Sequence, residues 1–243
     1  MTLSFTFNGH MIEYTVAYRK RKTIGISISA EKGIQVFAPK WVNHDQLQEV
    51  VRKKALWILK NQAAIDVRKA KKPEKGFVDG ECFLYLGQSY SLNISEYFES
   101  GIRIRLDRES SKIHVVIPSD TPSQERKEVL HQAFTIWYKQ QARSVIDERI
   151  QFYSKIMQLH PVKVLIKEHR RIWGSCTGKN TVNVNWKIIM APPHIVDYLI
   201  VHELAHIREK NHSSRFGDLV ASILPDCKER AKWLKTNGFT LYL

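Results

Sequence analysis

The stretch Tyr198-Leu-Ile-Val-His202-Glu203-Leu-Ala-His206-Ile207 constrains the fold of this chain more than any other. Tyr198, Leu199, Ile200 and Val201 lead in, and Leu204, Ala205 and Ile207 interleave with the polar residues, so a helix here is apolar on nearly every side. Such a helix belongs in the interior of a domain. Two histidines and a glutamate carried inside with it would cost on the order of several kcal/mol unless they are paired or bound to a metal.

Residues four apart on an α-helix differ by about 40° around its axis, so His202 and His206 leave from one face. Two imidazoles one turn apart can reach a single Zn2+ at about 2.0–2.1 Å. Glu203, next along the helix, can meet a metal-bound water without ligating the metal, which is the H-E-x-x-H arrangement of zinc hydrolases. His212 follows Lys210 and Asn211, where the helix can break and fold back. It would complete three protein ligands and leave the fourth position to water, the mark of a catalytic rather than a structural zinc. With ten histidines in 243 residues, a chance H-E-x-x-H with a third histidine shortly after it is roughly a one-in-a-hundred event or rarer. The competing reading is a satisfied pair of core histidines with a buried ion pair. The spacing of the three histidines also matches metzincins, but Glu209 stands where those proteins turn on glycine and no methionine follows Met190, so that class is rejected.

The remainder reads as alternating strands and helices. Period-two bursts at Phe5-Phe7, Ile12-Tyr14-Val16, Ile24-Ile26-Ile28 and Ile34-Val36-Phe37 predict small antiparallel strands or hairpins. Asn43 caps an expected helix over 44–69, and Lys71-Lys72-Pro73-Glu74-Lys75-Gly76 reads as a basic linker. A second strand set covers 83–117. Thr121 as N-cap, with Pro122 and Gln124, predicts a long helix to about 159. Strands follow over 162–166 and 181–186, a helix starts at Pro192-Pro193, and Gly238 ends the last one. No internal repeat is visible. The expected fold class is α+β, divided into a β-rich N-terminal region, 1–118, with a long helix and basic linker, and a core, 119–243, that carries the histidine helix.

Lysine plus arginine is 38 against 24 acidic residues, a net charge of +14. The excess is clustered at Arg19-Lys20-Arg21-Lys22, Arg52-Lys53-Lys54, 68–72 and around Lys167, Arg170 and Arg171. It points to an anionic partner, DNA or RNA first and an anionic membrane surface second, against the plain alternative of a solvated basic surface. No apolar run nears the ~18 residues of a membrane span, and no basic-then-apolar leader opens the chain. Cys82, Cys176 and Cys227 are odd in number, far apart and never in a C-x-x-C pair, so neither a disulfide scaffold nor a thiolate zinc knuckle is expected. The expected location is cytoplasmic, and nothing in the sequence speaks to an oligomeric state.

The block Arg171-Ile-Trp173-Gly174-Ser175-Cys176, then Val182-Asn-Val-Asn-Trp186, Ala191-Pro192-Pro193, Asp197-Tyr198, His202-Glu203-Leu-Ala-His206 and Asn211-His212-Ser213 resembles the YgjP-like metallopeptidase family, itself similar to WLM and SprT-like zinc peptidases. The resemblance runs from about Tyr14 to Gly238. It implies His202, His206 and His212 as zinc ligands and Glu203 as catalytic base, on a small zincin-like α+β peptidase core with an HExxH active-site helix. Two departures are visible: Ile172 where arginine is expected before Trp-Gly-Ser-Cys, and Gly217 where an aromatic usually follows Phe216. They bear on packing or substrate contacts and leave the metal set untouched.

In a strand over 181–186, Val182, Val184 and Trp186 share one face while Asn183 and Asn185 share the other. If this strand edges the cleft, its backbone can pair with an extended peptide, which makes Asn183, Val184 and Asn185 substrate-binding candidates. The equal alternative is a core strand with two solvent-facing asparagines. Trp173 is expected in the core. Cys176 is expected to pack rather than attack, because a Cys–His protease would need the histidines that the metal claims.

The resulting expectation is hydrolysis of a peptide or protein substrate by a zinc-bound water with Glu203 as general base; a second hypothesis, from the positive charge, makes proteins bound to DNA or RNA the substrates. His169, Arg170, Arg171 and Tyr198 are the candidate oxyanion donors. The alternative is a non-catalytic nucleic-acid or partner-binding module whose structural zinc is closed by a fourth ligand, for which Asp218, Asp226 and Glu229 are available.

Overall fold

A computed structural model describes residues 2–29, 32–70, 74–98, 101–169 and 171–243, with backbone alone at 64 and 66–70. The basic stretch at Lys71, Lys72 and Pro73, and the oxyanion candidate Arg170, lie outside the described residues. By its contacts the chain forms two compact units, Met1–Pro73 and Glu74–Leu243. No described helix is long and apolar enough to cross a membrane.

The first unit holds β1 (Thr2–Phe7), β2 (His10–Tyr18), β3 (Gly25–Ser29), β4 (Gly33–Ala38), α1 (His44–Lys53) and α2 (Ala55–Ala70). The four predicted strands are present, but they are not all antiparallel. The order is β1-β2-β4-β3, with β2 and β4 parallel at the centre and an antiparallel strand outside each. Burial explains the placement. β2 and β4 bury alternate residues, Ile12, Tyr14 and Val16 against Ile34, Val36 and Ala38, so they take the middle, where one face is fully covered. Leu47, Val51, Ala55 and Ile58 cover that face. The single helix expected over 44–69 is two: the chain turns at Lys54 (φ −100°, ψ 7°), and Ala55 and Ile58 join Leu47 and Val51 in the core. Asn43 does cap α1, with Gln46 reciprocating as a capping box.

The second unit opens with β5 (Cys82–Tyr85), β6 (Gln88–Tyr97), β7 (Arg103–Asp107) and β8 (Lys112–Pro118), in the order β5-β6-β8-β7 with β6 and β8 parallel. This repeats the arrangement of the first sheet. The two opening hairpins even share a turn with positive φ at both positions, 48° and 78° at Asn8-Gly9 and 49° and 78° at Leu86-Gly87. No repeat shows in the sequence because a sheet needs only the alternation, which many residue choices satisfy.

The long helix α3 spans Arg126–Met157, later than the Thr121 cap predicts. Pro122 starts only a turn, its carbonyl accepting from the Glu125 and Arg126 N–H groups, and Arg126 then pairs with Glu96 at 2.7 Å. Phe83, Tyr90, Leu92, Ile113 and Val115 share one core with Leu130, Phe134 and Tyr138 of α3. The join expected at 118/119 therefore lies inside the second unit, because sheet and helix cover each other's apolar faces.

After α3 come β9 (Lys163–Lys167), β10 (Gly174–Cys176) and β11 (Thr181–Asn185), a 3-10 turn over Trp186–Met190, then α4 (Pro193–Arg208), α5 (Ser214–Ile223) and α6 (Cys227–Asn237). The β5–β6 turn braces the entry to α4: the Leu86 N–H donates to Ile189 O at 2.7 Å and the Gly87 N–H to Met190 O at 3.1 Å. A Cβ on Gly87 would lie 2.8 Å from the Pro192 Cα, at a φ of +78°. Gly87→Ala is therefore expected to destabilise the protein by about 1–3 kcal/mol, read as a lower urea midpoint. An unchanged midpoint would show that the turn does not hold Pro192. Arg149 of α3 grips Asp197 of α4 through two hydrogen bonds, 2.6 and 2.9 Å, with both side chains largely buried.

Candidate metal centre

Pro192-Pro193 start α4, and the apolar residues around the histidines send it inside: Leu199, Ile200, Val201, Leu204 and Ala205 are buried. His202 and His206 share its half-buried stripe. The helix stops at Arg208, residues 209–213 double back, and Ser213 caps α5 by accepting from the Phe216 N–H at 3.4 Å. That reversal puts His212 Nε2 3.1 Å from His202 Nε2, and one ligand atom from each of the three histidines lies within 4.8 Å of the others. Two nitrogens on one tetrahedral zinc with 2.0–2.1 Å bonds sit about 3.3 Å apart. Among the described residues, this is the cluster of three or more metal-ligating side chains; Asp218, Asp226 and Glu229 do not join it, and Asp226 is held by Arg230 at 2.8 Å.

The surroundings of His202 and His206 favour the ligand form of both rings. Burial, with His206 and His212 adding to it, pushes the His202 pKa down to about 4, and burial lowers that of His206. The His206 Nδ1–H donates to the Glu209 carbonyl at 3.0 Å, which leaves Nε2 with its lone pair free. The Tyr198 hydroxyl lies 3.5 Å from His202 Nδ1. Phe216, buried at the first turn of α5, touches all three imidazoles at centroid distances of 4.5–4.9 Å. Sequence reasoning missed this ring; its position three residues past the Ser213 cap is the signal that would have placed it.

Glu203 is only 4% exposed, its Oε2 has no hydrogen-bond partner, and burial raises its pKa to about 7. A buried carboxyl oxygen left without a hydrogen-bond partner is a costly arrangement in the protein alone. Three converging nitrogens and an unpartnered carboxylate oxygen together fit a zinc ion. β10 makes room for Glu203: a Cβ on Gly174 would fall 2.5 Å from Glu203 Oε1 and 2.8 Å from its Cδ. Gly174, a second residue that sequence reasoning did not single out, is thus required by the carboxyl. Gly174→Ala is expected to lower hydrolysis at least tenfold with metal content unchanged; full activity would mean that Glu203 tolerates displacement.

Asn183, Val184 and Asn185 require a correction. β11 is the middle strand of its sheet, order β10-β11-β9, so both its edges are already paired. Val184 is fully buried, and neither asparagine faces solvent. Asn183 Nδ2 donates to Ser175 Oγ at 3.1 Å, while Asn185 Nδ2 donates to the His169 and Ile172 carbonyls at 2.9 and 3.3 Å. Asn185 thus braces the loop that leads into β10, and Asn183 holds β10 itself, the edge strand packed against α4. Trp173 packs against the core with Gly238 beneath its ring, and the Cys176 thiol is pushed up by burial, away from nucleophile behaviour. Of the oxyanion candidates, Tyr198 stands beside His202, Arg171 is exposed and His169 Nε2 is buried without a partner. A Cβ at Gly217 would meet nothing within 4 Å, so the backbone there has room to start a side chain.

The mixed α+β unit brings His212 back to a helix that carries His202, Glu203 and His206, the residue set of H-E-x-x-H metallopeptidases. The chain belongs to the YgjP-like family, whose metallopeptidase-domain model matches residues 22–237 and so takes in parts of both units. The crystal structure of the metallopeptidase zymogen of Pyrococcus abyssi abylysin is similar at 24% identity, covering 37% of this chain and 92% of that one, with a TM-score of 0.36. No curated protein matches the chain.

Proposed function

We propose that this protein is a zinc-dependent peptidase whose ion is held by His202, His206 and His212, with Glu203 as general base and its machinery in a zincin-like core. One observation carries the reading: three imidazoles converge beside a buried carboxyl whose Oε2 has no hydrogen-bond partner among the described residues. Zinc, when bound, supplies Lewis acidity and lowers the pKa of a coordinated water. Glu203 takes a proton from the attacking water and returns it to the leaving amide nitrogen, a role that suits a carboxyl whose pKa lies near neutrality. The Tyr198 hydroxyl, 3.5 Å from His202 Nδ1, is the donor for the developing oxyanion. The free edge of β10, Gly174-Ser175-Cys176, is where an extended peptide pairs, since it is the sheet edge next to Glu203.

The net charge of +14 supports proteins held on DNA or RNA as the substrate class. Three free cysteines support a reducing, cytoplasmic setting. A structural zinc in a non-catalytic module is the weaker reading, because it needs a fourth protein ligand.

The deciding experiment measures metal content and casein hydrolysis for the purified chain and for His206→Ala and His212→Ala. One zinc per chain, lost along with hydrolysis in both variants, is the expected result. Zinc retained in full by either variant would overturn the ligand set. A fully loaded wild-type chain that cleaves nothing would overturn the peptidase reading.

A further inference from the structure

Residues 1–73 hold 14 lysines and arginines against 5 aspartates and glutamates, so +9 of the chain's +14 falls in under a third of its length. The sheet of this unit concentrates part of that charge at one end. β2 and β4 run parallel, so the register partners Tyr18 and Ala38 leave the sheet side by side, and the Arg19 N–H donates to Ala38 O at 2.9 Å to join the two exits. The segments 19–24 and 39–43 therefore lie next to each other. Arg19, Lys20, Lys22 and Lys40 are all exposed there, and Arg19 lies 5.3 Å over the Phe37 ring. Arg21 does different work, lying half-buried against Gly25. Among the described residues, no ion pair neutralises Lys20, Lys22 or Lys40; the nearby Asp45 sits 3.7 Å from its own neighbour His44. In the midst of these cations stands Trp41, 72% exposed, with Tyr18 43% exposed at the strand end.

We propose that this end of the first unit binds single-stranded nucleic acid, with Arg19, Lys20, Lys22 and Lys40 on the phosphates and Trp41 stacked on a base. A large ring left in water among cations is the combination that single strands use, because a phosphate track needs charge and every unpaired base offers a face. A lipid surface would instead need a contiguous apolar face, and the neighbours of Trp41 here are charged. Single strands are favoured over duplex because paired bases hide their faces. This inference deepens the nucleic-acid side of the substrate class proposed above and rests on that reading; peptide hydrolysis does not enter it.

The test uses the full-length chain and a fluorescein-labelled 20-mer of thymidine, followed by anisotropy across a salt series, beside a hairpin duplex and vesicles rich in phosphatidylserine. The triple variant Lys20→Glu/Lys22→Glu/Lys40→Glu is expected to bind the strand at least tenfold more weakly, with a salt slope shallower by about two. Trp41→Ala is expected to weaken the strand about 5- to 100-fold with the slope unchanged, and Trp41→Phe to restore most of the loss. Lys32→Glu, at the β3–β4 turn on the opposite end of the sheet, serves as control and is expected to change nothing. Circular dichroism and hydrolysis of a short neutral peptide are expected to be unaltered throughout, so a failure here is distinguishable from a failure of the zinc site. Strand affinity unchanged in both the triple and the Trp41→Ala variants would overturn the proposal. So would binding to the vesicles with none to the oligonucleotide.

Discussion

Replacing Glu203 by glutamine is expected to lower peptide hydrolysis by about 10²- to 10⁴-fold while zinc content stays at the wild-type level. Glutamine keeps the shape and the burial but cannot accept the proton, and the three imidazoles do not depend on it. The same substitution carries a stability signature. Burial raises the Glu203 pKa from its ordinary 4.5 to about 7, so the folded chain holds a proton that the unfolded chain gives up between those values. The stability that the neutral carboxyl contributes is complete below about pH 4.5 and is lost as pH rises through 7. Metal-free Glu203→Gln should therefore match the metal-free wild type at pH 4.5 and exceed it at pH 8, by on the order of 3 kcal/mol. Urea melts at the two pH values, run in chelator, read this directly. A variant that hydrolyses normally would end the base assignment, and a variant no more stable at pH 8 would end the account of an uncompensated buried charge.

Zinc is expected to raise the thermal midpoint of the wild type by about 5–10 °C and to leave that of His202→Ala unmoved. Free zinc at a hundredfold excess over its dissociation constant adds about 2.7 kcal/mol. In a protein of this size each kcal/mol moves the midpoint by about 2–4 °C. The ligands stand ready: at pH 7 His202, with its pKa near 4, has no proton to surrender, and the Glu209 carbonyl already fixes the tautomer of His206. Equal midpoint shifts in wild type and His202→Ala would mean that the ion binds elsewhere.

The part of the site that could be read from the sequence was the part set by helical periodicity. Four-residue spacing puts His202 and His206 on one face whatever surrounds them, and an all-apolar flank sends such a helix indoors. Gly174 and Phe216 escaped because their importance lies across space, in the width of the gap above Glu203 and in a ring that reaches three imidazoles from another helix. Asn183, Val184 and Asn185 show the opposite failure. Alternation announces a strand correctly but says nothing about whether its edges are free, and the backbone partners Lys163–Lys167 and Gly174–Cys176 close both.

The sheets divide in the same way. Each strand of the first unit was visible as a period-two pattern, yet the parallel pairing of β2 with β4, and its repetition by β6 with β8, was not. Pairing depends on which faces find cover, and that is a property of the assembled unit. By itself the sequence determined most of the strands and helices, the charge excess and the pairing of His202 with His206 on one helix face, because each follows from local periodicity or from composition. Tertiary structure alone decided that His212 returns to within 3.1 Å of His202, that Glu203 Oε2 has no hydrogen-bond partner among the described residues, and that β10 takes the edge of its sheet. Those outcomes depend on how a reversal at 209–213 and a short strand pack against one buried helix, where side-chain volumes and chain crossings set the distances.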